Sequence, residues 1–212
     1  MQELISAKFA LDNLFSKPNT VFLDATFHLP NSGRNALGEF NNHHIPNARF
    51  FDIDQISDKR SSLPHMLPDE EYFSKMVSSL GIKNDDTVVV YDNSLFFSSA
   101  RAWWMFKIFG HNNIRIIDGG LKAWLNCGGP SSNEKSQTKE TAYLANKKNL
   151  GLYDTLGNIM SDLEGDKNKI LIDARGEDRF FAKVKEPRAG IKSGHIPSSL
   201  NIPISSIIDK NT

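Results

Sequence analysis

Short apolar runs alternate along this chain with stretches whose apolar residues recur every three or four positions. Residues 21–24 (Val-Phe-Leu-Asp), 48–52, 87–91 and 114–117 are the strand-like runs. The run at 87–91, Thr-Val-Val-Val-Tyr, has the unbroken apolar character of a strand covered on both faces. Behind Asp69-Glu70-Glu71, acidic residues suited to a helix N-terminus, Phe73, Met76, Val77 and Leu80 fall at i, i+3, i+4 and i+7, and Gly81 closes the helix. A further helix is expected from Ser98 or Ser99 to Gly110, burying Trp103, Phe106 and Phe109, with Trp103 and Trp104 read as core. Leu11, Leu14 and Phe15 predict a helix over 4–16, stopped by Lys17-Pro18, and a short one containing Trp124 follows the turn Asp118-Gly119-Gly120. Asn31-Ser32-Gly33-Arg34 is turn chemistry, and residues 151–163 predict one more helix. This alternation implies an α/β fold, a parallel sheet with helices on both faces.

The pattern occurs twice. Phe22-Leu23-Asp24-Ala25-Thr26 with His44-Ile45-Pro46 returns as Leu171-Ile172-Asp173-Ala174-Arg175 with His195-Ile196-Pro197. Asp173 follows Asp24 by 149 positions and His195 follows His44 by 151. Such a period is a domain, not a solenoid repeat. The expected organisation is a first domain over 8–130, a polar linker over 131–150 with a short extended piece near Thr141, and a second copy over 151–212. On the ruler of the first copy the second stops early, so a tandem duplication with an incomplete second copy is expected. The counterpart of the loop after Asp92 would fall at about residue 243. A segment left without its covering strands should expose apolar edge and be poorly ordered or aggregation-prone on its own.

Charge narrows the classes. Lys plus Arg number 25 and Asp plus Glu 25, giving a net charge of zero, so no nucleic-acid partner is implied. No run is long enough to span a bilayer and the start lacks a secretory core, so no membrane partner is expected. A single cysteine, Cys127, rules out an internal disulfide framework and fits a reducing compartment, with the cytoplasm as the expectation. No His, Cys or carboxylate cluster has metal-ligand spacing and no Gly-rich loop follows a strand, so cofactor-free chemistry is expected.

Several motifs together resemble the tandem-rhodanese sulfurtransferases, and within them the 3-mercaptopyruvate branch. They are Phe51-Asp52-Ile53-Asp54-Gln55 with Pro64-His65-Met66-Leu67-Pro68, and Val90-Tyr91-Asp92 with Ala100-Arg101-Ala102-Trp103-Trp104. Asp118-Gly119-Gly120-Leu121, Asp173-Ala174-Arg175 to Arg179-Phe180, and Glu186-Pro187-Arg188 to Gly194-His195-Ile196-Pro197 complete the set. The resemblance implies a rhodanese-like fold in each copy and a catalytically silent first domain. It also implies a second-domain cysteine that carries sulfane sulfur as a persulfide from 3-mercaptopyruvate or thiosulfate to a thiol or cyanide. Asp92 holds the matching position in the silent copy, and the nucleophile is expected beyond Thr212, leaving this chain inactive alone. In the mercaptopyruvate branch Arg179 and Arg188 would grip the donor's carboxylate and keto oxygen, each able to donate two parallel hydrogen bonds.

Each candidate also has a structural reading. Arg179 could pair with Glu177 or Asp178, and Arg188 with Glu186, on a solvated loop, where such pairs contribute about 0–1 kcal/mol. His65 and Asp54 stand on the loop that, as the resemblance implies, approaches the active site across the domain interface; a His–carboxylate pair there is either a proton relay or orienting contact, or a hydrogen-bonded interface pair without a catalytic role. His44 with His195, and Asp24 with Asp173, recur in both copies and read as structural. Cys127, beside Gly128-Gly129-Pro130 with no basic neighbour, reads as a thiol without chemistry. The other function classes are a non-catalytic rhodanese-type binding or regulatory module, and a phosphatase of the same fold, against which Glu186-Pro187-Arg188 argues.

Overall fold

The computed structural model describes residues 2–30, 32–94, 97–146, 149–165, 169–187 and 190–208. The chain forms two compact units, Met1–Leu152 and Tyr153–Thr212. In the first, β1 (Leu4–Ser6), β2 (Thr20–Asp24), β3 (Arg49–Phe50), β4 (Thr87–Tyr91) and β5 (Ile114–Asp118) form one sheet in the order β1-β5-β4-β2-β3. Every neighbouring pair is parallel. Central β4 explains its unbroken apolar run: Val88, Val89, Val90 and Tyr91 are all fully buried.

Five helices flank this sheet: α1 (Ala7–Asn13), α2 (Ala36–Asn42), α3 (Glu70–Ser79), α4 (Ser99–Ile108) and α5 (Gly120–Asn126). The pleat sends alternate β4 residues to opposite faces. Val89 and Tyr91 join Ile5, Phe22, Ile117, Leu121 and Trp124 in one core layer under α1 and α5. A second cluster is aromatic, with Phe73 of α3 stacked on Phe109 at 4.2 Å and set edge-on to Phe106 and Tyr143. Helix starts follow capping chemistry: Ser6, Asn35 and Asp69 accept from Phe9 N, Gly38 N and Tyr72 N. Gly81 ends the α3 segment at φ +68°.

Within the first unit the strand at the start, one helix and the tryptophan pair differ from the sequence expectation. Residues 4–6 are a strand paired with β5, so the first helix begins only at Ala7. Helix α2 was not foreseen. Trp103 and Trp104 are half-buried, with Phe106 and Phe109 forming the core beneath them. Trp104 instead donates its Nε1 hydrogen to Leu152 O at 2.7 Å and carries the Arg101 guanidinium over its ring.

The polar stretch read as a linker is fastened along the first unit. His44 and Ser132 exchange backbone hydrogen bonds of 2.9 and 2.8 Å. Ser136 Oγ donates to Ala48 O, and Tyr143 N and Ala145 N donate to the hydroxyls of Ser78 and Ser74. Asn84 brackets the backbone of Leu144 with both amide atoms. Tyr143 buries its ring in the aromatic cluster, yet its hydroxyl is enclosed without a hydrogen-bond partner. An enclosed, unpaired hydroxyl costs about 1–3 kcal/mol. Tyr143→Phe is therefore expected to raise the first unit's stability by about 1 kcal/mol in urea unfolding, and Tyr143→Ala to lower it by about 3 kcal/mol. A destabilised Tyr143→Phe protein would mean that the hydroxyl has a partner.

In the second unit, α6 (Leu156–Glu164) starts later than expected because Thr155 caps it, accepting from Asn158 N. It is followed by β6 (Ile172–Asp173), α7 (Glu177–Phe180), β7 (Leu200–Asn201) and a 3-10 turn over Ile204–Ser206. Parallel β6 and β7 pair Ile172 with Leu200 and Asp173 with Asn201, the register in which β2 and β3 pair Leu23 with Arg49 and Asp24 with Phe50. The histidine fastening recurs as well. His44 Nδ1 bonds Phe40 O at 2.6 Å with the rings stacked, and His195 Nδ1 bonds Phe180 O at 2.8 Å with the rings stacked. Coverage differs: Leu23 is wholly buried, whereas its counterpart Ile172 is 58% exposed.

Candidate functional site

In the first unit, the loop between β3 and α3 brings His65 and Asp54 together. His65 Nε2 lies 2.7 Å from Asp54 Oδ1. His65 sits at φ +57°, its ring edge-on to Phe27 at 4.9 Å and its carbonyl held by Arg101 Nη2. Backbone strain of this kind needs external contacts to hold it, and Arg101 and Phe27 supply them.

After β4, Asp92 bonds back onto the start of α4. Asp92 is buried and turns its Oδ2 to Ser99 N at 2.6 Å, in the first turn of α4, while Oδ1 accepts from Ser94 N. A carboxylate thus occupies the positive end of the helix, the place where an anionic reaction centre would otherwise be stabilised. The neighbouring Asp24, at the end of β2, accepts from Thr26 N at 2.9 Å and from Thr26 Oγ1 at 2.5 Å. Burial pushes its carboxyl up to about 6 despite those bonds. Cys127 follows α5, half-buried, and its thiol donates to Trp124 O at 3.2 Å.

In the second unit, Arg179 projects from the short α7. Its Nη2 donates to Glu186 Oε2 at 2.5 Å and its Nε to the same oxygen at 3.2 Å. The partner is thus Glu186, seven residues on, and neither Glu177 nor Asp178. The other oxygen of Glu186 accepts from Arg175 Nη1 at 2.8 Å. Arg175 in turn grips Asp173 with Nε and Nη2 and donates to Gly194 O at 2.7 Å. The Arg179 side chain is 38% exposed and Glu186 only 3%, so the acid is enclosed between two guanidiniums and Arg179 keeps one face toward solvent. Arg179 and Arg175 hold the Glu186 carboxyl below its ordinary range, and hydrogen bonds from Arg175 do the same for Asp173. Arg188 lies outside the described residues.

Sequence reasoning singled out Arg179, His65 and Asp54 as candidates; the structure brings His65 to Asp54 and adds Arg175 and Glu186 beside Arg179, neither of which was named as its partner. The signal available was the change from Thr26 to Arg175 between two otherwise matching Asp-Ala-X turns. Among the described residues no group of three His, Cys, Asp or Glu side chains could hold a metal ion, and no helix is long and apolar enough to cross a membrane.

The rhodanese-like domain family matches residues 9–127. The chain is 40% identical over 213 residues to the thiosulfate/3-mercaptopyruvate sulfurtransferase 1, mitochondrial, of Arabidopsis thaliana, covering 91% of this chain and 56% of that protein. It is 39% identical over 210 residues to the 3-mercaptopyruvate sulfurtransferase of Mus musculus, covering 97% of this chain and 70% of the mouse protein. Among solved structures it matches the Tum1 protein of Saccharomyces cerevisiae at 31% identity and a TM-score of 0.89, over 98% of this chain and 72% of that one. SseA of Escherichia coli, a 3-mercaptopyruvate sulfotransferase by its description, matches at 31% and 0.83, over 99% and 78%. The chain spans 56% of the length of the Arabidopsis protein and 70% of the mouse one. The match in sequence, sheet and helices has one meaning: this chain belongs to the rhodanese-domain sulfurtransferase family, in the company of the 3-mercaptopyruvate and thiosulfate enzymes.

Proposed function

We propose that the chain is the donor-binding part of a sulfurtransferase that moves sulfane sulfur from 3-mercaptopyruvate, or thiosulfate, to a thiol or cyanide through a cysteine persulfide. With 3-mercaptopyruvate a thiolate attacks the donor sulfur, the C–S bond breaks, and its electron pair leaves as the enolate of pyruvate, which takes up a proton at carbon; with thiosulfate the S–S bond breaks instead and sulfite leaves with the pair. Arg179 and Arg188 bind the donor's carboxylate and keto oxygen, so that positive charge faces the oxygen on which the enolate charge develops. His65 and Asp54 are supporting residues. The observation that carries this reading is Arg179 itself, a guanidinium fixed along one edge by Glu186 with part of its surface free for a planar anion.

The nucleophile on this reading is not Cys127, whose thiol donates to Trp124 O at the end of α5, and residues 1–212 alone are inactive. Purified chain given 3-mercaptopyruvate and cyanide should form no thiocyanate above the protein-free rate, and Cys127→Ser should change nothing. Turnover at an enzymatic rate that disappears in Cys127→Ser would overturn the assignment. The Asp92 carboxylate held on Ser99 N supports a second reading for the first unit taken alone, a non-catalytic binding or regulatory module.

A further inference from the structure

We propose that Arg175 is a positioning residue for Arg179, acting through the carboxylate of Glu186. The proposal rests on the reading of Arg179 as a donor-binding side chain and adds what fixes its direction.

Glu186 stands between exposed Lys185 and Pro187, on a surface segment that cannot by itself hold a side chain still. What holds it is the pair of guanidiniums, one on each oxygen: Arg175 Nη1 on Oε1 at 2.8 Å, and Arg179 Nη2 on Oε2 at 2.5 Å. The two are not equivalent. Arg179 is tied to no other side chain in the described residues. Arg175 is anchored three more times, by the Asp173 carboxylate at the end of β6, by its own backbone N–H on Asp173 Oδ1 at 2.9 Å, and by Gly194 O. Rigidity therefore runs from Asp173 to Arg175, then to Glu186, and last to Arg179. Supported in this way, a planar fork presents its free edge in one direction, so less order remains to be imposed when an anion binds.

The first copy shows that the turn does not need the arginine. Asp24-Ala25-Thr26 makes the same backbone bond, Thr26 N to Asp24 Oδ1 at 2.9 Å, and fills the second lone pair with a hydroxyl. An arginine with spare donors occurs only in the copy that carries Arg179. Lysine could not replace it, since one ammonium cannot reach Asp173, Gly194 O and Glu186 in a common plane.

The test uses the full 212-residue chain, nitrogen-15 spectra of the arginine Nε–H groups, and pyruvate as the probe for a carboxylate beside a keto oxygen. In the unaltered chain, Arg179 Nε–H should give a protected signal that moves on adding pyruvate. In Arg175→Gln and Arg175→Lys that signal should broaden or exchange faster, with the apparent Kd for pyruvate raised about tenfold, the scale of one charge-assisted hydrogen bond. Second-unit amide signals should stay dispersed. An unchanged Arg179 signal and Kd in folded variants would overturn the proposal. Collapse of the second unit's amide dispersion in both variants would also overturn it, making Arg175 a folding residue only. If pyruvate leaves Arg179 unmoved in the unaltered chain, the donor reading fails, and the dependence of the Arg179 signal on Arg175 still decides the positioning claim.

Discussion

Gly120→Ala is expected to destabilise the first unit by about 3 kcal/mol or more, as the sum of a left-handed backbone and a direct backbone clash. Gly120 sits at φ +57°, and a Cβ placed there would lie 2.2 Å from the carbonyl oxygen of Asp92. That oxygen cannot swing aside as a side chain would, because it accepts from Leu121 N at 2.9 Å and belongs to the loop whose carboxylate caps α4. Relief requires either α5 or the Asp92 loop to move, and both carry buried residues, Trp124 and Leu121 on one side and Asp92 on the other. Gly128→Ala is the matched control: its φ is +84° but a Cβ would meet nothing within 4 Å, so only the left-handed cost of about 1 kcal/mol remains. The measurement is direct, since all three tryptophans, Trp103, Trp104 and Trp124, lie in the first unit and their fluorescence follows its unfolding alone. Equal urea midpoints for the two variants would show that the close approach does not exist.

How far the sequence leads depends on whether a segment carries its own reason for its structure. Residues 87–91 declare a central strand because no polar residue interrupts them, and Asp69 with its following acids declares the start of α3. Leu4-Ile5-Ser6 declares nothing: three residues become a strand only by pairing with β5 over a hundred positions away. The fastened stretch after Gly129 misleads by composition, since the Ser136 hydroxyl bonds Ala48 O, the backbone N–H groups of Tyr143, Leu144 and Ala145 bond the side chains of Ser78, Asn84 and Ser74, and Tyr143 is its one fully buried ring. Helix α2 escaped notice because none of its side chains is fully buried, which weakens the apolar period. At the candidate site, the motif resemblance singles out Arg179 but not its partner. Glu186 meets it only because the chain between them folds back, and Arg175 joins them from the end of β6.

Stability of the first unit should fall, by up to about 3 kcal/mol from one group, as pH rises from 4 to 7, and Asp24→Asn should abolish that fall. Asp24 is 2% exposed, and burial first, with the Asp92 charge adding to it, lifts its carboxyl from 3.8 to about 6 against bonds from Thr26 and Tyr91. Because the folded value exceeds the unfolded one, the native state holds the proton more tightly between those two values. Stability is then greatest below the unfolded value, declines through the window as the native carboxylate is forced to ionise, and levels off above about 7. Asparagine keeps an oxygen for Thr26 N and Thr26 Oγ1 and never ionises, so Asp24→Asn should be the more stable protein at pH 7.5 and match the original near pH 4. Tryptophan fluorescence in urea at a series of pH values reads this from the first unit. Asp173 supplies the opposite case from the same turn. There Arg175 holds the carboxyl down, so its contribution is present above the unfolded value and lost as pH falls through the lowered one. Asp173→Asn should therefore weaken the second unit at neutral pH, seen as faster exchange of the Asn201 side-chain amide, which donates to the Asp173 and Arg175 carbonyls, and of the Ile202 backbone amide, which donates to Asp173 O. One change in the turn's third residue, Thr26 to Arg175, reverses the electrostatic sign of a repeated aspartate, and two variants with opposite responses to pH are the measure of it.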